Sequence, residues 1–374
     1  MMNEDRYIEV EETGWGQRIT NSFLGILLGI ALFFGSFVIL YWNEGRIDFS
    51  QVAKQAIEIS PTVANDSAKG RLVVTTGEIV SNEVLGDDLF LKPGEYIALN
   101  RITEMFAWYE TKDTRTEKKA GGSEKKITTY SYSKKWQNKP KDSSKFKKSA
   151  KHHNPQKTIA DFFARVERAS IGIYNLNMDE LSFFKLPEIR LNPEILTLED
   201  NVSLTGNYLF KGNSTIENPQ IGDLRIKYLA IPNKAKVTIF GKLLANNQFG
   251  TYFHEGKHKF YQMFIGTKEE AIHALKTRHK ILTWLFRLLG LGMMWMSLTL
   301  FIEPLGVVLD VIPFFGDFTR GIVGVSAFII AFCLSTITIL ISMLLHNLIA
   351  LAIAIVVAII AGFILRQWRI QNSH

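Results

Sequence analysis

The stretch Ser22–Arg46, "SFLGILLGIALFFGSFVILYWNEGR", decides the fold. Residues 22–42 hold no charged side chain, and a helix of that length crosses a ~30 Å hydrocarbon core. The run then stops abruptly on Glu44 and Arg46, either side of Gly45. A membrane helix satisfies its backbone internally, and charges enter the core only at high cost. Tyr41 and Trp42 stand where interfacial aromatics belong, so Glu44 and Arg46 are expected to hold this helix end at the headgroups. Residues 1–21 form a short acidic segment, with Glu4, Asp5, Glu9, Glu11 and Glu12 against Arg6 and Arg18. A secretory leader is basic there, shorter in its apolar part and followed by a small-x-small cleavage site, so the run reads as a retained anchor.

Three more apolar runs follow at the far end of the 374-residue chain: 281–301, 321–345 and 348–365, ahead of a short basic tail at 366–374. Core helices seldom carry so many uninterrupted apolar residues. Only His346 and Asn347 separate the last two runs, which implies a tight helical hairpin. Arg287 interrupts the second run two turns from its start, where it can snorkel to the interface as a further anchor. Ser335, Thr338 and Ser342 lie along one face of the third run and suit helix packing. Residues 302–320 are broken by Pro304 and Pro313, and are expected to lie in the interface as an amphipathic segment.

Residues 43–280 hold no spanning run and form one large extramembrane domain. Strand-like patterns occupy Gly70–Val80, Tyr96–Glu110, Lys126–Trp136, Gly222–Ile231, Lys236–Ala245 and Lys259–Gly266. The stretch "TIADFFARVERA" (Thr158–Ala169) spaces Ile159, Phe162, Phe163 and Val166 as an amphipathic helix would. Thr267 and Glu270 make a capping box ahead of a helix expected to run unbroken into the second span. The fold class expected is a multi-pass α-helical membrane protein, four spans arranged one plus three, with a β-rich α+β domain.

Candidate chemistry is sparse. The single cysteine, Cys333, excludes an intrachain disulfide and a cysteine-built metal site. His254–His258, "HEGKH", matches the zinc-protease pattern, which needs both histidines on one helix face. Gly256 and the flanking "TYF" and "KFYQMF" instead predict a strand–turn–strand hairpin. Likewise "KHHNP" (Lys151–Pro155) reads as a solvated loop before an Asn-Pro turn. Between residues 111 and 158 fifteen Lys and Arg face four Asp and Glu, a local net charge of +11 in a chain of +7. Lys134, Lys135 and Trp136 are candidates there for contact with an acidic surface, and "AGGSEKK" reads as a mobile hairpin tip. No nucleic acid, metal or cofactor is expected as a partner.

Several short stretches together resemble the transmembrane protein 43 family, also called LUMA. They are "NEGR" (Asn43–Arg46), "GRLV" (Gly70–Val73), "FAWYET" (Phe106–Thr111), "YSYSKKW" (Tyr130–Trp136), "HNP" (His153–Pro155), "GDLRI" (Gly222–Ile226) and the capped "TKEEA" (Thr267–Ala271). The resemblance implies the one-plus-three arrangement, with cytosolic termini and a central domain outside the cytosol. That means a periplasmic domain in a bacterial inner membrane, or a luminal one in the endoplasmic reticulum and inner nuclear membrane of a eukaryote. It also implies a non-enzymatic protein that anchors and organises membrane protein complexes, with other membrane proteins as partners; the apolar runs themselves make the lipid bilayer a partner, and the spacing of Ser335, Thr338 and Ser342 suits contact between copies of the chain. The alternatives from the residues are a channel or transport component, resting on the hydroxyls of the third run, and a membrane zinc metalloenzyme, resting on "HEGKH".

Overall fold

The computed structural model describes residues 5–119, 122–309, 313–347 and 351. Four α-helices are present among them: α1 (Trp15–Glu44), α2 (Phe49–Lys54), α3 (Lys268–Leu309) and α4 (Pro313–Leu345). Of these, α1, α3 and α4 are long and apolar enough to cross a membrane. The expected fourth span, 348–365, lies outside the described residues but for residue 351. The chain divides into two compact units, Met1–Glu9 with Asp48–Asp113 and Thr128–Lys276, and Val10–Ile47 with Thr114–Ile127 and Thr277–His374.

The first unit is built on two sheets. In one, five strands close into a ring. Leu72–Val80 pairs antiparallel with Arg168–Ile171, which turns back as Tyr174–Asn177. Tyr174–Asn177 pairs in parallel with Gln248–Gly250. That strand lies antiparallel to Lys236–Leu243, which returns antiparallel to Leu72–Val80. Numbered along the chain, the ring order is 1-2-3-5-4, with the sole parallel junction between the third and fifth strands. This is the Greek-key order of an OB-type barrel. Alternation fills it: Val73, Ile79, Ile171, Tyr174, Val237, Ile239 and Phe249 are all buried inside. Gln262–Ile265 extends the sheet beside Lys236–Leu243.

The other sheet is built from segments inserted between the first two barrel strands and between the third and fourth, joined at one edge by the N-terminal strand Arg6–Thr13. Its order is Arg6–Thr13, Glu124–Gln137, Tyr96–Lys118, Leu224–Pro232, Tyr208–Lys211 and Val202–Thr205, with Phe162–Arg165 also on Tyr96–Lys118. Leu99, Met105, Leu209, Ile226 and Tyr228 form its core. Asp87 is sunk beside them. Its Oδ1 accepts from the backbone N–H groups of Phe90 and Leu91, both at 2.7 Å. Its Oδ2 accepts from the Arg101 guanidinium and the Tyr228 hydroxyl, both at 2.5 Å.

Five of the six expected strand segments are single strands; the sixth, Lys259–Gly266, is split at Tyr261 into His258–Phe260, which pairs with Tyr252–His254, and Gln262–Ile265. The helix expected at Thr158–Ala169 is not formed; the stretch makes the strands Phe162–Arg165 and Arg168–Ile171. Pairing across the sheet wins over the local period, because Phe162–Arg165 lies antiparallel to Ala98–Arg101. Asp161 anchors that register by accepting from the Thr103 N–H at 3.0 Å and from the Asn138 amide. The capping box forms as read: Glu270 accepts from the Thr267 N–H at 2.8 Å, and the Thr267 hydroxyl from the Glu270 N–H at 3.3 Å. From there α3 runs without a break through Pro304 to Leu309, and α4 resumes at Pro313. The 302–320 stretch is therefore helical on both sides of residues 310–312.

Candidate functional site

The second unit concentrates polar chemistry where α1 ends. Buried positions on α1 include Ser22, Gly29, Ser36 and Asn43, a strict seven-residue period of small or polar residues. Such a stripe lets helix backbones approach closely. A Cβ at Gly29 would press on Phe301 at 2.9 Å, and one at Gly290 would press on Leu40 at 2.5 Å, so α1 and α3 pack with glycines as holes. On α4 the buried residues Ala327, Ala331, Ser335 and Ser342 are likewise small, at four- and seven-residue spacings that keep one helix face.

The stripe on α1 terminates in a polar latch. The Asn43 side-chain amide donates to the Thr283 carbonyl of α3 at 3.1 Å. One turn further along α3, Arg287 donates through Nε and Nη2 to the two oxygens of Glu44, both at 2.8 Å. This fork-on-fork geometry is the strongest ion-pair arrangement available. The Glu44 side chain is only 5 % exposed. Arg46 folds back to donate to Asn43 Oδ1 at 3.3 Å and lies over the Trp42 and Phe286 rings. From α4, the Ser342 hydroxyl donates to the Tyr41 carbonyl at 3.1 Å, and the His346 ring lies 4.5 Å from the Tyr41 ring. His346 also packs so closely over Gly45 that a side chain there has no room.

The residues expected as separate interface anchors, Tyr41, Trp42, Glu44, Arg46 and Arg287, are thus brought together with Ser342 into one constellation. Sequence reading missed that Glu44 is the partner of Arg287. A lone carboxylate ending one apolar run and a lone guanidinium inside another was the available signal. Ser335 and Thr338 sit further along α4. The Ser335 hydroxyl is buried 3.4 Å from Met294 Sδ, and the Thr338 hydroxyl donates to the Leu334 carbonyl at 2.7 Å.

At the opposite end of α1, Arg18 is buried and donates to the Gly122 carbonyl, with its Nε 3.1 Å from the Glu124 carboxylate. The Trp15 indole donates to the Val307 carbonyl at 3.0 Å. Gly122 and Glu124, within the stretch expected to be mobile, are therefore bound to the first turns of α1. This contact also differs from the placement implied by the family resemblance, which separates the N-terminal segment from the tip.

Lys134, Lys135 and Trp136 do not form one surface. As neighbours on a strand they alternate between faces. Lys134 lies over Trp108 at 4.8 Å, and Lys135 over Tyr109 at 3.2 Å. Trp136 packs against Phe106, under the Arg225 guanidinium. Part of the basic charge is answered by the acidic N-terminal strand: Lys147 meets Glu9 at 2.8 Å, Lys126 meets Glu11 at 3.5 Å, and Lys119 meets Glu12 at 2.5 Å. The bonds from Lys147 and Tyr130 hold the Glu9 carboxyl below its usual range.

The two histidine motifs separate. His152 is not solvated; it is buried and stacked 3.7 Å from Tyr132. His254–His258 is the expected hairpin, with the two histidines directly opposite and Glu255 and Gly256 in the turn at φ 50° and 70°. Among the described residues no group of three His, Cys, Asp or Glu is placed to hold a metal ion.

The family model described as "Transmembrane protein 43" matches residues 105–348. "Transmembrane protein 43" of Homo sapiens is 26 % identical over 350 residues, covering 87 % of this chain and 84 % of its own length. The protein of the same name from Mus musculus is 25 % identical over the same shares. "Transmembrane protein 43 homolog" of Drosophila melanogaster is 25 % identical over 284 residues, covering 73 % of this chain and 75 % of its own. No solved structure matches the chain significantly.

Proposed function

Because the chain belongs to the transmembrane protein 43 family, we propose that it is a non-enzymatic integral membrane protein that anchors and organises protein complexes in its membrane. The observation that carries this reading is the use made of polar groups in the helices. Glu44 is closed by Arg287, Ser342 by the Tyr41 carbonyl, and Thr338 by its own helix. A conducting path needs polar groups left facing water; here Glu44 and Ser342 are spent on neighbouring helices and Thr338 on its own backbone. The channel and zinc readings gain no supporting observation. A bacterial inner membrane, or the endoplasmic reticulum and inner nuclear membrane, remains the proposed location, with the fourth span at 348–365 part of the proposal.

Planar-bilayer recording of the purified protein tests the reading against a channel. No reproducible single-channel currents are expected. Discrete currents whose selectivity changes when Ser335 or Thr338 is replaced by Leu would replace the anchoring role with a conducting one.

A further inference from the structure

The OB-type barrel carries a cleft of about 810 Å3 on its outer face. Its floor is made by the second, third and fifth barrel strands. Register sets the floor in rows: Ser170 lies opposite Asn175, which neighbours Gln248 on the parallel strand, and Arg168 lies opposite Asn177. The alternate residues, Ala169, Leu176 and Phe249, are buried in the barrel core. Asn82 and Glu83 form one rim, just after the first barrel strand, and Asp179 forms another, just after the third. Glu83 is fixed there, accepting from the backbone N–H groups of Glu167 at 2.7 Å and Arg168 at 3.1 Å. The face of strands two and three, with the loops one–two and four–five, is where OB barrels take oligonucleotides and oligosaccharides.

The lining decides between those two. Three carboxylates, Glu83, Glu167 and Asp179, face one guanidinium, Arg168. That balance repels a phosphate backbone, whose binding rests on neutralisation by cations. The lining holds no aromatic ring on which a base could stack. It is rich instead in primary amides, Asn82, Asn175, Asn177 and Gln248, each offering two donors and an acceptor. Among the described residues none of the four makes a side-chain hydrogen bond. Amides of this kind match vicinal hydroxyls, which both donate and accept.

We infer that this face of the barrel binds a neutral oligosaccharide. The site lies within the β-rich unit and is independent of the anchoring role. The test uses the full-length protein in lipid nanodiscs, free of sugar-headed detergent, titrated by calorimetry with manno-, malto-, cello- and chitotetraose. A short oligo-dT serves as the acidic control. At least one neutral tetrasaccharide is expected to bind saturably and without dependence on salt. Asn175→Ala and Gln248→Ala are each expected to weaken it about tenfold, the loss of a good hydrogen-bonding group. Both residues are exposed, and unchanged melting temperatures show that the variants fold. No binding by any of the four sugars overturns the inference. So does sugar binding that both variants leave unchanged, or salt-sensitive binding of oligo-dT in place of sugar.

Discussion

Glu44→Ala is expected to destabilise the helical unit by about 3–5 kcal/mol, the usual cost of leaving half of a buried ion pair behind. Arg287 would keep its charge inside the second apolar run with neither oxygen to receive it. Arg287→Ala should cost about the same, for the same reason. The double variant Glu44→Leu with Arg287→Leu removes both charges and both desolvation costs, and is expected to recover most of the loss. Thermal unfolding in a fixed mild detergent reads all four proteins. Single variants within about 0.5 kcal/mol of wild type would place the pair among weak surface bridges and remove the latch from the account.

Asp87→Ala is the second large effect, expected in the β-rich unit and again about 3–5 kcal/mol. It strips the partner from the buried Arg101 guanidinium and orphans the Phe90 and Leu91 amides. The same group sets an acid limit on stability. Burial works to raise the Asp87 carboxyl, but the bonds from the Leu91 amide, the Tyr228 hydroxyl, the Phe90 amide and Arg101 outweigh it and hold the group below its usual range. A carboxyl depressed in the folded state stabilises above its unfolded pKa of about 3.9 and loses that contribution as pH falls through the folded value. Burial, and then the bond to Asp87, push the Tyr228 hydroxyl upward, so it stays neutral throughout. Wild type should therefore lose stability steeply below about pH 4. In Asp87→Ala that part of the slope should be gone. Parallel pH profiles for the two proteins would contradict the assignment.

Much of this was legible locally. The first three apolar runs, five of the six strand segments, the capping box at Thr267 and the "HEGKH" turn each depend on neighbours a few residues away, and each formed as read. Missing were the features set by distant partners. Thr158–Ala169 has a helical period but is taken by the strand it meets at Ala98–Arg101. Nothing near Glu44 reveals Arg287, and nothing near Arg18 reveals Gly122. Barrel closure joins Leu72–Val80 to Lys236–Leu243 across most of the domain. The acidic N-terminal segment shows its charge in the sequence, but not that it is the edge strand beside Glu124–Gln137. The seven-residue spacing of Ser22, Gly29, Ser36 and Asn43 stands in the sequence, but only the packing shows that it marks the buried face of α1.

The measurement closest to the central claim is the mass of the particle extracted from its own membrane into native nanodiscs, read by native mass spectrometry. An anchoring and organising protein, with its polar helix groups spent on contacts, should emerge with a second copy of itself or with a co-extracted membrane protein. A particle holding one copy of the chain and no other protein would contradict the account.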